Sequence, residues 1–550
     1  MFAKNSSYIH LTTFLIMLLV SVLFLSIVGP LCASLKRSSD QLSERIPTPD
    51  AVSNTLWPLP ASVISSGPPL VISPAFVIQT SSSSGVVKRG ITRYLEIILR
   101  QIGGNHMQNP SGKSETLSEL VLNVRSDEEV LRVDTSYWYM LNISNGQANI
   151  EAKTPYGALY GLETFTQLIE NGNIINSDVT IDDEPRYVHR GLMLDAGRRY
   201  FPLELLYNIL DGMSSVKLNV LHFHFADFCR FSVESKLYPD LRNNESQFYS
   251  QEQVKSLVSY AADRGIRVIP EVESAFHVLG MIGLQNKTKG LYFCNNSIGY
   301  IELYNDPEGV TVNTMKGILE EMMTLFPDQY FHLGLDEVIT TSVCTMEKTK
   351  ELEQDLLKFL QQKGKTPYAW QEALLSTAAA VNGTVLQAWK DVSLKTLVDK
   401  GFQVVNALMN HFYLNYISNA SVSWTDIATG LNPDEQTMLL GGEMAMWTDD
   451  YCFVSECFLY KRAKPVAWWM YGPDADSQFT ESVSGIIWPR AIVGAGSFWN
   501  YQADLKPDSP EFQMRVDSQH KRMIERGILT CPLGCKCDYL SRCGQSYPHP

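Results

Sequence analysis

From His189 onward the chain repeats one pattern, a short apolar run followed by a longer stretch with apolar residues at helical spacing. The runs are "GLMLDA", "VLHFHF", "RVIPEV", "YFHLGLD", "PYAWQEA", "TVLQAW", "FQVVNAL" and "GGEMAMW"; between them lie amphipathic stretches such as "QEQVKSLVSYAADRG", "VNTMKGILEEMMTLF" and "EKTKELEQDLLKFLQQKG". Near-continuous apolar strands suit a sheet covered on both faces, and strands that alternate with helices join in parallel. Eight runs are the number that closes a (β/α)8 barrel, so the expected fold class is α/β with a TIM barrel. Closure also puts the carboxyl end of every strand on one face, where active sites assemble.

The sequence ahead of the barrel reads differently. "PLVISPAFVIQT", "ELVLNVR" and "YWYMLNIS" alternate with helix-like "GITRYLEIILRQI" and "GALYGLETFTQLIE", which predicts a small α+β domain over residues 55–184, with the barrel and a Cys-rich tail over 185–550. Residues 34–54 are polar and read as a linker. At the start, "LTTFLIMLLVSVLFLSIVGPLCA" closes in small residues, the pattern of a signal peptide over residues 1–33, with an uncleaved signal anchor and membrane tether as the alternative.

A secretory route fits the cysteines and the glycosylation acceptors. Beyond Cys32 the cysteines are odd in number; Cys294, Cys344, Cys452, Cys457, Cys531, Cys535, Cys537 and Cys543 are the disulfide candidates, and Cys229 is left over. The tail "CPLGCKCDYLSRC" reads as a disulfide staple rather than a zinc site. N-x-Ser/Thr acceptors stand at Asn142, Asn244, Asn286, Asn295, Asn382 and Asn419. The final compartment is open among lysosome or vacuole, the cell exterior and the plasma membrane.

Polar groups cluster where the strands end: Asp195, Arg198, Asp227, Glu271, Glu273, His277, Asp336, Glu337, Trp370, Glu372, Trp389, Tyr413, Glu443, Trp447 and Asp449. Any one alone reads as a helix cap or a core ring, but their repetition around the barrel points to a site. The run "YFHLGLDEVIT" ends in adjacent carboxylates, Asp336 and Glu337. Confined together, two carboxyls repel, so one can hold a proton while its neighbour stays anionic. Glycosidic bond cleavage needs that division: an acid for the leaving oxygen and a negative group near the developing cation. A regular strand would point the two side chains to opposite faces, so both serve one site only where the strand has already become loop. The formal net charge of −14 argues against nucleic acid or an anionic membrane surface as partner and favours a neutral or cationic small ligand.

The barrel half resembles the family 20 glycoside hydrolases, the β-N-acetylhexosaminidases, in "HRGLMLDAGRRYFPL", "MSSVKLNVLHFHFAD", "RGIRVIPEVESAFH", "YFHLGLDEV", "AWQEAL", "LQAWK", "FYLN" and "LGGEMAMW". "LWPLPASV" and "YGALYGLETFTQL" are similar to the small domain that precedes the barrel in that family. The resemblance implies an exo-acting, retaining enzyme that removes terminal GlcNAc or GalNAc from glycans, with no cofactor and no metal. It implies Glu337 as general acid and base, and Asp336 as the group that holds the substrate's 2-acetamido function, whose carbonyl oxygen attacks the anomeric carbon to form an oxazolinium ion. By the same resemblance Tyr413 contacts that carbonyl, Trp370, Trp389 and Trp447 wall the pocket, Arg190 binds the C3 and C4 hydroxyls, Asp449 takes the outer hydroxyls, and Asp227 and His277 flank the acid. Family members often pair through their barrels, which leaves a homodimer open.

The chain departs from the family pattern at several points. Leu335 replaces the second glycine of G-G-D-E, "SAFH" stands where P-G-H is usual, Phe228 follows Asp227 where a second acid is common, Asp449 is shorter than the usual Glu, and "GAGSFW" replaces A-E-R-L-W. The catalytic pair is untouched, so activity with altered substrate choice or rate is expected. Two rival readings differ in chemistry. His222 and His224 in "LHFHF" have the H-x-H spacing of a metal-dependent amidohydrolase, but His189, His277, His332 and His411 do not complete its ligand set. A non-catalytic sugar-binding protein would keep the tryptophans and lose the acid, whereas Glu337 is present.

Overall fold

The computed structural model describes residues 55–103, 116–241, 247–285, 290–295, 301–417, 419–449 and 475–530. The expected signal, linker and Cys-rich tail lie outside the described residues, as do Cys452, Cys457, Cys531, Cys535, Cys537, Cys543, Asn244 and Asn286.

The eight apolar runs form a closed barrel in which His189–Asp195, Val220–Ala226, Arg267–Val272, Tyr330–His332, Thr366–Trp370, Val385–Ala388, Gln403–Asn406 and Leu439–Met446 follow one another in chain order. All neighbours are parallel, and Leu439–Met446 pairs with His189–Asp195 to close the ring. Six of these strands are buried along their whole length on both faces, as their unbroken apolar runs require. Two of the helices between them start on side-chain caps: Ser250 and Gln253 make a reciprocal capping box, and Thr345 accepts from Lys348 N–H. After the last barrel strand come two further helical segments, Ala475–Asn500 and Pro510–Glu525, the first interrupted at Trp488 by Pro489.

Ahead of the barrel stands an eight-stranded mixed sheet, with its own apolar core shared by the helices Gly85–Gly103 and Pro155–Gln167. The sequence located its strands Leu70–Thr80, Thr116–Val124 and Tyr139–Ser144 and passed over Gln147–Ala152 and Asp178–Asp183, which are short and alternate with polar residues. This domain packs on the amino end of the barrel. There Lys217 Nζ lies 2.9 Å from Asp183, Trp499 Nε1–H donates to Asp183 Oδ1 at 2.9 Å, and Tyr137 O–H donates to Gly265 O at 3.0 Å.

Cys294 and Cys344 form a disulfide, with their Cα atoms 6.1 Å apart. Cys229, left out of the sequence candidates, is also disulfide-bonded, a correction that the odd cysteine count could not supply. Asn382 and Asn419 are exposed, Asn142 is half-buried and donates to Thr180 Oγ1, and Asn295 lies on the strand Phe293–Asn295. Among the described residues no helix is long and apolar enough to cross a membrane.

Candidate active site

The strand that carries the tandem acids is regular only over Tyr330–His332. Gly334, Leu335 and Glu337 have φ of 70°, 74° and 49°, the left-handed region, so the chain has left strand geometry before Asp336. This break frees the two adjacent carboxylates from alternating faces. At Gly334 the conformation and the space both demand glycine, because any Cβ would collide with the Glu273 carboxyl. Leu335 has a Cβ and takes the unfavourable region all the same. Left-handed backbone costs a leucine about 1–2 kcal/mol, whereas full burial of its side chain contributes about 1.5–3 kcal/mol. Leu335 is fully buried in the main core, so packing carries the strain.

Asp336 is 8% exposed, and its Oδ1 is buried with no hydrogen-bond partner among the described residues. Burial pushes its carboxyl up to about 6; His277 opposes the rise and Glu337 adds to it. Glu337 is the more open, its side chain 45% exposed, and contact with His277 holds its carboxyl down at about 2, with Lys390 adding to the effect. The distances are those of ion-pair contacts: His277 Nε2 is 3.5 Å from Glu337 Oε2 and 3.7 Å from Asp336 Oδ2, and Lys390 Nζ is 3.5 Å from Glu337 Oε1. His277 Nδ1 is 3.7 Å from Asp227 Oδ1. Burial disfavours its charged form, but Asp336 and Asp227 outweigh this and raise its pKa, which favours the imidazolium between the carboxylates.

Four aromatic rings close a box beside Asp336. Trp370 meets Trp389 at 6.4 Å between centroids and Trp447 at 5.9 Å; Tyr413 stacks on Trp389 at 5.9 Å and 4° and meets Trp447 at 5.9 Å. Trp370 Nε1–H donates inward to the buried Glu271 at 2.9 Å, and Trp389 Nε1–H donates to Glu372 at 3.0 Å, so carboxylates fix the orientation of both indoles. Burial and Asp336 push the Glu372 carboxyl up to about 7.

Arg190 is not part of this face. It is the second residue of the first barrel strand, at the amino end, where its guanidinium donates to Lys217 O at 3.0 Å and Tyr187 O at 2.7 Å and lies over Tyr137 and Trp499. The expected sugar-binding role is therefore corrected. The arginine at the mouth is Arg198, just past that strand's carboxyl end, which lies 3.0 Å from Asp195, 3.1 Å from Asp227 and 3.0 Å from Asp449. Both follow from one motif, "HRGLMLDAGRRYF", and only the strand direction distinguishes them. Lys390 was also missed, although it sits inside "LQAWK"; Glu273 and Glu372 were noted as strand-end residues without a role.

Inside the barrel, below the site, imidazoles and carboxylates alternate. His189 Nε2 is 2.8 Å from Glu443, His222 Nδ1 is 2.7 Å from Glu443 and its Nε2 2.9 Å from Glu271, and His224 is 2.5 Å from Glu271 and 2.7 Å from Asp227. The H-x-H nitrogens of His222 and His224 are thus all in contact with carboxylates, in a network that balances buried charge. Through Asp227, which Arg198 and then His277 hold at about 2 against the opposing effect of burial, the network reaches the His277 imidazole.

Comparisons with known proteins agree with this geometry. The family model for the glycosyl hydrolase family 20 catalytic domain matches residues 187–502, and a beta-acetyl hexosaminidase-like domain matches residues 56–168. Beta-hexosaminidase 1 of Arabidopsis thaliana is 30% identical over 502 residues, covering 82% of this chain and 86% of its own length. The human beta-hexosaminidase subunit beta is 27% identical over 523 residues, covering 87% and 88%. The X-ray structure of a Flavobacterium johnsoniae chitobiase superposes with a TM-score of 0.69 at 23% identity, covering 88% of this chain and 74% of that one.

Proposed function

The chain belongs to glycosyl hydrolase family 20 and is a glycoside hydrolase, and from that premise we propose an exo-acting, retaining β-N-acetylhexosaminidase that works through the substrate's own amide. The observation that carries this reading is the unpartnered Asp336 Oδ1, buried beside an aromatic box with Glu337 next in the chain. A pyranose ring fills such a box face to face, and its acetamide N–H supplies the donor that Asp336 lacks.

In the proposed reaction the acetamide carbonyl oxygen attacks the anomeric carbon while the glycosidic C–O bond breaks, and Glu337 gives its proton to the leaving oxygen. Asp336 accepts the amide N–H and faces the positive charge of the oxazolinium ion. Water then attacks the anomeric carbon, Glu337 takes its proton, and the C–O bond to the amide oxygen opens to restore the acetamide. The contact with His277 keeps Glu337 ionised, and the raised proton affinity of the imidazole makes His277 the proton's source. A sugar that covers the half-open Glu337 removes water from it and raises its proton affinity, so the proton can pass from His277 Nε2 to Glu337 Oε2. Asp227 keeps the imidazole oriented, Arg198 and Asp449 take the outer hydroxyls, and Tyr413 takes the amide carbonyl.

The test is turnover of a chromogenic β-N-acetylglucosaminide by the full chain and by Glu337→Gln. The reading expects turnover in the first and a loss of about 10²–10⁴-fold in kcat in the second, the contribution of a positioned proton donor. Equal turnover would contradict the role of Glu337, and binding without release by the unmodified chain would favour a lectin-like protein. The natural substrate is a glycan with terminal N-acetylhexosamine, and passage through the secretory pathway belongs to the same proposal, supported by the N-terminal signal pattern and the disulfides.

A further inference from the structure

The backbone of the turn that carries Glu337 has few hydrogen bonds. Among the described residues, 335–340 make a single backbone hydrogen bond, from Ile339 N–H to Glu302 Oε1 at 2.9 Å. The nearest backbone anchors lie on either side: Trp370 N–H donates to Gly334 O at 3.0 Å, and Thr341 N–H donates to Cys344 O at 2.8 Å. Between them Leu335 and Glu337 both occupy left-handed backbone; core packing offsets the strain at Leu335, while beyond it the half-open Glu337 has no such burial and a contact from outside the turn fixes the chain.

Glu302 is well placed to be that contact. It lies on a two-stranded hairpin, Phe293–Asn295 with Ile301–Leu303, opposite Cys294, and is 1% exposed. The next residue, Leu303, donates its N–H to Ala275 O at 3.0 Å, within the loop that presents His277. On the other side the Cys294–Cys344 disulfide joins the hairpin to the end of the Glu337 turn. The hairpin therefore spans the two loops that carry the imidazole and the acid, and Glu302 is its link nearest to Glu337.

Among the described residues no Lys, Arg or His pairs with Glu302, and burial pushes its carboxyl up to about 7 against the pull of the Ile339 N–H. A buried, uncompensated carboxyl is costly, and a residue that only filled this space would be apolar. The polar atom is needed for the N–H it receives.

From this arrangement we infer that Glu302 is a positioning residue for the general acid: by accepting the Ile339 N–H it fixes the turn that sets Glu337 against His277 and the glycosidic oxygen. The inference rests on the proposed role of Glu337. It concerns an acceptor, not a charge, which separates two substitutions of similar size. Glu302→Gln keeps an oxygen that can accept from Ile339, and Glu302→Met fills the space with none.

The experiment measures kcat and KM for a chromogenic β-N-acetylglucosaminide in the full chain, with thermal melting as the check on folding. Glu302→Gln is expected to keep kcat within about two-fold, and Glu302→Met to lose about 10- to 100-fold in kcat with KM within about two-fold, as misplacement of a reacting group does. Should the Met variant not fold, Glu302→Asp, whose carboxyl falls one methylene short of Ile339, takes its place with the same expected loss. A Met or Asp variant as fast as the unmodified chain, or a Gln variant as slow as they are, overturns the inference alone. No turnover by the unmodified chain overturns the proposed function itself and the inference with it.

Discussion

His277 Nε2 stands 3.5 Å from Glu337 Oε2, and the same nitrogen is 3.7 Å from Asp336, so one imidazole serves both members of the acidic pair. The contact favours the ionised acid, while burial pushes Asp336, the more buried of the two, up to about 6.

The pH profile follows from that value. A raised carboxyl is protonated below its pKa and ionised above it, and only the ionised form can face the oxazolinium charge. We therefore expect kcat/KM to fall as pH drops through about 6, and kcat to fall at a lower pH, because the bound amide N–H favours the carboxylate. The check is a pair of pH–rate profiles; a kcat/KM profile flat down to pH 4 would contradict the role of Asp336.

Arg198 and Arg190 should separate function from stability. Arg198→Ala removes the cation shared by Asp195, Asp227 and Asp449 at the mouth and is expected to lower kcat/KM by at least about ten-fold, the scale of a lost charged hydrogen bond. Arg190→Ala should lower the melting temperature and leave KM of the folded protein unchanged, since its contacts are to backbone carbonyls and rings at the opposite end. Steady-state kinetics beside thermal melting tests both.

Glu353 gives a stability prediction away from the site. It is fully buried, takes one hydrogen bond from Thr377 and leaves Oε1 unpartnered, and burial pushes its carboxyl up to about 8. The unfolded chain releases this proton near 4.5 and the folded chain only near 8, so stability falls as pH rises through that window. Glu353→Gln is expected to raise the melting temperature at pH 8, through a gain on the order of 3–5 kcal/mol, and to leave it unchanged at pH 4.5.

The barrel was legible because its strands are apolar on both faces and its helices on one, a difference in period that survives any detail of packing. The tandem acids and the tryptophans were legible for a related reason, since strand ends converge whatever the loops do. Arg190 was misplaced because a motif records spacing and not which end of a strand a residue occupies. Leu335 stands in sequence as a departure from the family's second glycine, yet it points into the core, since the left-handed turn that redirects its side chain leaves no trace in residue type. Glu302 was invisible for another reason: its partner, the N–H of Ile339, is backbone, and its loop meets the Glu337 turn only through the fold.

The measurement that bears most directly on the account compares kcat/KM for two substrates with the same leaving group, a β-N-acetylglucosaminide and the β-glucoside that carries a hydroxyl in place of the acetamide. If the amide is the nucleophile, the first is cleaved at least about 10³-fold faster, the scale of an oriented internal reactant, and Asp336→Asn removes most of that advantage. Equal rates for the two sugars, or an Asp336→Asn variant that keeps the full ratio, would contradict it.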